Sequence, residues 1–292
     1  MNLNTIVEVK RPASADEITQ WRDGYAWLAG GTWLFSEPQV STDTLIDLQQ
    51  LHWPALESSS AGLDIAATCT VAELYWFAGP SDWQALPLVH ECCNSFLASF
   101  KIWNAATVGG NICMSLPAGP MISLTVALEA TYTLWPRTAP ARHVPSIDFV
   151  TGNHGNILQP GELLRSIHLP ASALSKRFAF RHASLTHLGR SAALLVGTQN
   201  AAGDDLLITI TAATPRPIQL QFRHAPSATE LRRTLDERIP ADGYFDDVHG
   251  SAAYISATSR AISPSRSAPS WRNPERAHEI RRCFGCAFHW PG

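Results

Sequence analysis

Apolar and polar residues alternate from the start, with Ile6, Val7 and Val9 leading to Arg11-Pro12, which predicts an extended segment. Ser14 precedes Glu17 at capping-box spacing and predicts a short helix through Trp21. Ala26 to Ala29 reads as a strand that stops at Gly30-Gly31, a tight turn or a close approach of backbone. Leu45, Ile46 and Leu48 predict a second strand, and the alternation of Leu63, Ile65 and Ala67 a third. Thr70 and Glu73 repeat the capping-box spacing and open a helix through Phe77.

From Ala85 to Phe100, the residues Leu86, Val89, Cys93, Phe96, Leu97 and Phe100 recur at three- and four-residue steps, predicting one helix with a buried face. Ala105 to Asn111, with two glycines, interrupts that pattern, and Ile122 to Ala130 resumes it. Strands are expected at Thr131 to Trp135 and Leu163 to Leu169, closed by Pro170. Beyond Lys176 come strands at Arg177 to Arg181, Ser191 to Val196 and Leu206 to Thr211, the last two joined at Ala202-Gly203-Asp204. Ser227 and Glu230 open a further helix toward Arg238. A three-stranded sheet plus helices makes this a small α+β domain. From Ser256 on, arginines 260, 266, 272, 276, 281 and 282 and prolines 264, 269, 274 and 291 break all periodicity, and a poorly ordered tail is expected.

Composition narrows the partners. The 292 residues suffice for two packed units, with 45% hydrophobic and 16% charged residues as in ordinary globular chains. A net charge of −3 offers no basic field for nucleic acid or anionic lipid. The start has no signal-peptide pattern and no run suits a membrane span, so a cytoplasmic protein is expected, with its six cysteines reduced.

Two segments carry candidate chemistry. Ala29-Gly30-Gly31-Thr32 directly follows a strand, and consecutive glycines can turn backbone N–H groups toward one point, a nest that holds phosphate oxygens. Taken alone it reads first as a plain strand-ending turn. Ala106-Thr107-Val108-Gly109-Gly110-Asn111 repeats the glycine pair between hydroxyl and amide donors. Two such loops can close on a diphosphate from opposite sides, with Gly31 and Gly110 against it. Neither is GxGxxG opening a helix and neither carries a Walker lysine, so another nucleotide fold is required. Trp33 is large enough for its ring to lie against a bound cofactor.

These motifs, as Leu28-Ala29-Gly30-Gly31-Thr32 and Ala106-Thr107-Val108-Gly109-Gly110-Asn111-Ile112, resemble the paired FAD motifs of the flavin subunit in the xanthine dehydrogenase and carbon monoxide dehydrogenase family. Supporting matches are Arg11-Pro12, Pro117-Ala118, Gly161-Glu162-Leu163-Leu164, Arg190-Ser191-Ala192-Ala193, Ala212 to Pro217 and Gly250 to Tyr254, covering roughly residues 5 to 254. The resemblance implies a vanillyl-alcohol-oxidase-type FAD-binding domain of two α/β subdomains over 1–172, a C-terminal flavoprotein domain over 173–255, and a tail over 256–292. FAD contacts carry over to Ala29, Gly30, Gly31, Thr32, Trp33 and Leu34, to Thr107, Val108, Gly109, Gly110 and Asn111, and to Leu163 near the adenine. It further implies an iron–sulfur small subunit and a molybdopterin large subunit as partners, with NAD or another acceptor receiving electrons. No catalytic residue and no metal site of its own is expected.

Two departures from the family pattern stand out. Pro120 occupies the place of an Asp that binds FAD hydroxyls, and the lysine or aromatic expected over the flavin has Phe178, Phe180 and Arg181 as candidates. Cys283-Phe284-Gly285-Cys286 with His289 lacks the second pair that a zinc or iron–sulfur site needs. His182, His187 and His224 lack nucleophile or carboxylate partners in the pattern, and Cys92-Cys93 reads as core. The rivals are a stand-alone FAD oxidoreductase of the same fold and a flavin-free assembly subunit.

Overall fold

The computed structural model describes residues 4–246 except 19, 138, 187 and 188, together with 255 and 256. The chain from residue 257, including Cys283 and Cys286, lies outside the described residues, as do His187 and the segment Gly250 to Tyr254. The described chain divides into two compact units, each built from separate stretches of sequence.

The first unit combines residues up to Gly79 with Ala98–Ser115 and Glu129–Ala171. Its smaller sheet is parallel, with Thr44–Asp47 between Glu8–Lys10 and Tyr25–Leu28. Thr44, Leu45 and Ile46 are all buried, so the central strand reads as a continuous run instead of an alternation. The larger sheet is antiparallel, in the order Leu56–Ser59, Gly62–Ala66, Leu163–Pro170, Thr131–Trp135, Arg142–Pro145. One of its faces supplies the core: Leu63, Ile65, Leu134, Ile167 and Leu169 are buried, and Tyr132 meets Phe149 edge to face at 5.2 Å. Each such side chain contributes about 1.5–3 kcal/mol through burial.

The capping box at Thr70 and Glu73 forms in both directions and starts the helix Val71–Tyr75. That at Ser14 does not, because the Ser14 hydroxyl turns to the Glu17 carboxylate at 3.4 Å instead of the backbone. A single 3-10 turn, Ala15–Glu17, replaces the helix expected through Trp21.

The second unit combines Pro80–Leu97, Leu116–Leu128 and the described residues from Ser172 on. Its sheet has four antiparallel strands, Arg177–Ala183, Ala193–Gln199, Leu206–Thr211 and Ile218–Phe222, where three were expected. The missed strand alternates Ile218, Leu220 and Phe222, but follows the proline-rich stretch Thr214 to Pro217, which reads as loop. Both faces of this sheet are covered, so Ala193–Gln199 and Leu206–Thr211 are buried at every position. Ile208, Ile210 and Leu220 pack with Leu231 and Leu235 of the helix Ala228–Arg238, which starts at the capping box Ser227–Glu230. The other parity of the same strand meets the helix Pro120–Ala127, where the Ser123 and Thr211 hydroxyls lie 2.6 Å apart.

The helix expected from Ala85 to Phe100 is divided. Leu97 turns left-handed at φ 48°, separating Leu88–Asn94 from Phe100–Trp103, and Phe100 is 72% exposed. Apolar periodicity continues across this break, which is why sequence alone joins the two pieces. The units also divide the chain differently from a linear boundary at 172, since the helices at 88–94 and 120–127 group with the later sheet. No helix among the described residues is long and apolar enough to cross a membrane.

Candidate functional site

The first glycine pair stands at the carboxyl end of the strand Tyr25–Leu28 in the parallel sheet, where open α/β sheets place their ligands. Gly30 lies so close to Ala105 that a Cβ would collide with the Ala105 carbonyl. Gly31 is left-handed at φ +68°, and a Cβ there would stand 2.6 Å from the Phe35 ring. The turn closes when Phe35 N–H donates to the Gly31 carbonyl at 2.8 Å and Ser36 N–H to that of Trp33 at 2.8 Å. The N–H groups of residues 30 to 34 donate to no acceptor among the described residues. Successive unpaired amides around a left-handed residue form an anion-holding concavity.

The second pair looks the same in sequence and is built differently. Thr107 caps a helix, Val108–Cys113, that contains both glycines, where a break in helical structure was expected. Val108 N–H donates to Cys69 at 2.8 Å, Gly109 to Ala67 at 3.0 Å, Asn111 to the Thr107 carbonyl at 3.0 Å, and Gly110 to the Thr107 hydroxyl at 3.0 Å. All four amides are therefore engaged within the protein. Gly109 is required because a Cβ would collide with Ala67, so the helix can press onto the end of the strand Gly62–Ala66. At Gly110 a Cβ would meet just the Thr107 hydroxyl, at 2.8 Å. Gly30 and Ala105 are in close contact, and both motifs lie in the same unit.

Leu163 is buried opposite Trp135, with 6% exposure. Beside it the carbonyl of Glu162 accepts from the Trp27 indole at 3.2 Å, tying this strand to the one that leads into the first turn. The Glu162 carboxylate is paired with Arg142 through two 2.7 Å bonds, which hold its pKa below the ordinary range.

A third segment escaped the sequence reading. Val150–Gly152 and Gly155–Asn156 form a small hairpin with His154 at its tip. Its imidazole lies 5.8 Å from the Trp33 ring, centroid to centroid. The run Thr151-Gly152-Asn153-His154-Gly155-Asn156, rich in turn formers, was the available signal.

The other candidates settle into structural surroundings. Pro120 is buried at the first position of its helix, where its fixed φ suits a helix start. Cys92 and Cys93 are core, and burial pushes the Cys93 thiol up to about 12. Phe178, Phe180 and Arg181 are half-buried on one strand. Burial lowers the pKa of His182 on that strand, while His224 is exposed.

Residues 5–172, more than half of the chain and both glycine motifs, match the family described as the FAD binding domain in molybdopterin dehydrogenase. The chain belongs to this family. The cofactor of the family is FAD, and its members are flavoprotein parts of oxidoreductases. The chain is 27% identical to the caffeine dehydrogenase subunit beta of Pseudomonas sp. (strain CBB1) over 255 residues, 82% of each chain. It is 32% identical to the carbon monoxide dehydrogenase medium chain of Afipia carboxidovorans over 97 residues, 32% of each. A chain in a solved carbon monoxide dehydrogenase from Hydrogenophaga pseudoflava shares the fold, with a TM-score of 0.75 at 22% identity, over 87% of this chain and 93% of that one. The resemblance read from the glycine motifs is thereby established: the chain carries the FAD-binding domain of molybdopterin dehydrogenases.

Proposed function

We propose that this chain is the electron-relay subunit of a molybdopterin-dependent hydroxylase, taking electrons from a partner's iron–sulfur clusters and passing them to NAD or another external acceptor. The observation that carries the reading is the turn at residues 30 to 34, with open amides at the carboxyl end of a parallel strand inside a family defined by FAD. The amides of Gly30, Gly31, Thr32, Trp33 and Leu34 would hold the FAD diphosphate. Each charge-assisted bond is worth about 1.5–3 kcal/mol. Ala29 sets the entry to the turn. Thr107, Val108, Gly109, Gly110 and Asn111 form the opposite wall. Leu163 backs the adenine end.

Bound FAD supplies the two-electron and one-electron chemistry, and the protein's part is binding and orientation. A vanillyl-alcohol-oxidase-type arrangement, with an FAD-binding domain over 1–172 and a C-terminal domain over 173–255, fits a family match that ends at residue 172. The partners in this reading are an iron–sulfur small subunit and a molybdopterin large subunit, in keeping with relatives named as a beta subunit and a medium chain, and the complex works in the cytoplasm.

The experiment is reconstitution. The purified chain should carry flavin yet leave aldehydes, purines and N-heterocycles unoxidised, and oxidation should appear when both partners are added. Turnover by the chain alone would overturn the assignment.

A further inference from the structure

We propose that His154 is a positioning residue of the FAD site, setting the Trp33 ring so that it stacks on a ring of the dinucleotide. The inference rests on the FAD reading of the open turn and adds to it the residue that orients the stacking surface. Trp33 belongs to that turn, its own N–H is among the open amides, and its side chain is 40% exposed. A large apolar ring left this exposed beside an anion-holding backbone is suited to a ligand with both phosphates and a flat ring. The imidazole of His154 stands 5.8 Å from the Trp33 ring at an interplanar angle of 46°.

The hairpin that carries His154 is pinned in place by hydrogen bonds. His154 is left-handed at φ 56°, although the adjacent Gly155 would occupy that region without penalty. Its N–H donates at 3.0 Å to the carbonyl of Ser115, itself left-handed at φ 52° and buried. Asn156 adds a second latch, donating to the Cys113 carbonyl at 2.9 Å and the Ser115 hydroxyl at 3.1 Å. Cys113 ends the helix of the second glycine motif. One hairpin thus ties the end of the second motif to the side chain of the first. A strained, non-glycine residue held by surrounding bonds at the tip of such a brace points to a use for its side chain.

The test titrates the full-length apo chain with FAD, with ADP and with riboflavin, for the wild type, Trp33→Leu, Trp33→Phe, His154→Gly and His154→Asn. Glycine and asparagine both accept the left-handed backbone but carry no aromatic ring. Trp33→Leu is expected to weaken FAD by about five- to a hundredfold, the range for one lost base–aromatic stack, and Trp33→Phe to recover most of it. Both His154 variants should weaken FAD by about two- to tenfold while the Tm of the apo chain stays level or rises. Under Trp33→Leu, a loss on ADP assigns the stack to adenine, and a loss on riboflavin to the isoalloxazine; either supports the proposal. FAD affinity unchanged in the His154 variants, or an apo Tm that falls with it, would show a structural brace and overturn it. Unchanged affinity for both ADP and riboflavin under Trp33→Leu would likewise overturn it. A wild-type chain that takes up no FAD would remove the FAD reading and this inference together, whereas normal uptake insensitive to the variants removes the inference alone.

Discussion

The turn at Gly30-Gly31 and the helix start at Gly109-Gly110 share a dipeptide and little else. In the first, around a left-handed Gly31, the amides of residues 30 to 34 donate to no acceptor among the described residues. In the second, the amides from Val108 to Asn111 are all taken up by Ala67, Cys69 and Thr107. Each pair contains one glycine needed for close packing, Gly30 against Ala105 and Gly109 against Ala67. What differs is the other glycine: Gly31 turns left-handed beside open amides, while Gly110 sits within a helix where a Cβ would meet just the Thr107 hydroxyl. The same residue type serves packing, backbone conformation or clearance according to its neighbours.

The comparison can be broken first at the packing glycines. Gly30→Val and Gly109→Val should each destabilise the chain by about 3 kcal/mol, since the Ala105 backbone stands in the way at the first and the rigid Ala67 Cβ and backbone at the second, with no movable side chain to give. Urea unfolding should show both losses alike, with flavin content falling as a consequence.

Next comes the support of the first turn. Glu162→Gln should cost about 1–2 kcal/mol, because the carboxylate is buried but its partner Arg142 is 43% exposed. Arg142 lowers the folded-state pKa of Glu162, so its contribution is present above the ordinary carboxyl value of 4.5 and is lost as pH falls through the lower folded value. The stability gap between wild type and variant should accordingly close in acid below 4.5, and a gap constant with pH would reject the ion-pair account.

The smallest effect sharpens the second motif. Thr107→Ala removes the oxygen that accepts from Gly110 N–H, a loss of about 1 kcal/mol in thermal unfolding, with FAD affinity changed less than tenfold. A large loss of FAD would mean that the second motif holds phosphate after all.

Much of the fold was legible from the chain. Two of three capping boxes formed as read, at Thr70 and Ser227, because serine or threonine and glutamate at that spacing satisfy orphan amides locally. Ser14 had the same spacing but lacked an apolar periodic segment behind it, and its helix stopped after one turn. The break at Leu97 and the strand Ile218–Phe222 were hidden for opposite reasons. Apolar periodicity ran through the first without interruption, and prolines discounted the second. The two glycine motifs and the family were legible, but the difference in how the amides of the two motifs are bonded was not. Whether an amide is free depends on Ala67 and Cys69, distant in sequence, and nothing near Gly109 announces them. His154 was invisible for the same reason, since its contact with Trp33 exists only after folding.

The most direct test compares FAD dissociation constants for Gly31→Ala and Gly110→Ala, with circular dichroism to confirm the fold. A side chain at Gly31 strains its left-handed backbone and presses on Phe35, so the amides lose their common aim. Losing two charge-assisted bonds at about 1.5–3 kcal/mol each weakens FAD by roughly two to four orders of magnitude. Gly110→Ala, which meets just the Thr107 hydroxyl, should weaken FAD less than about tenfold. Equal losses in the two variants, or the greater loss at Gly110, would contradict the account.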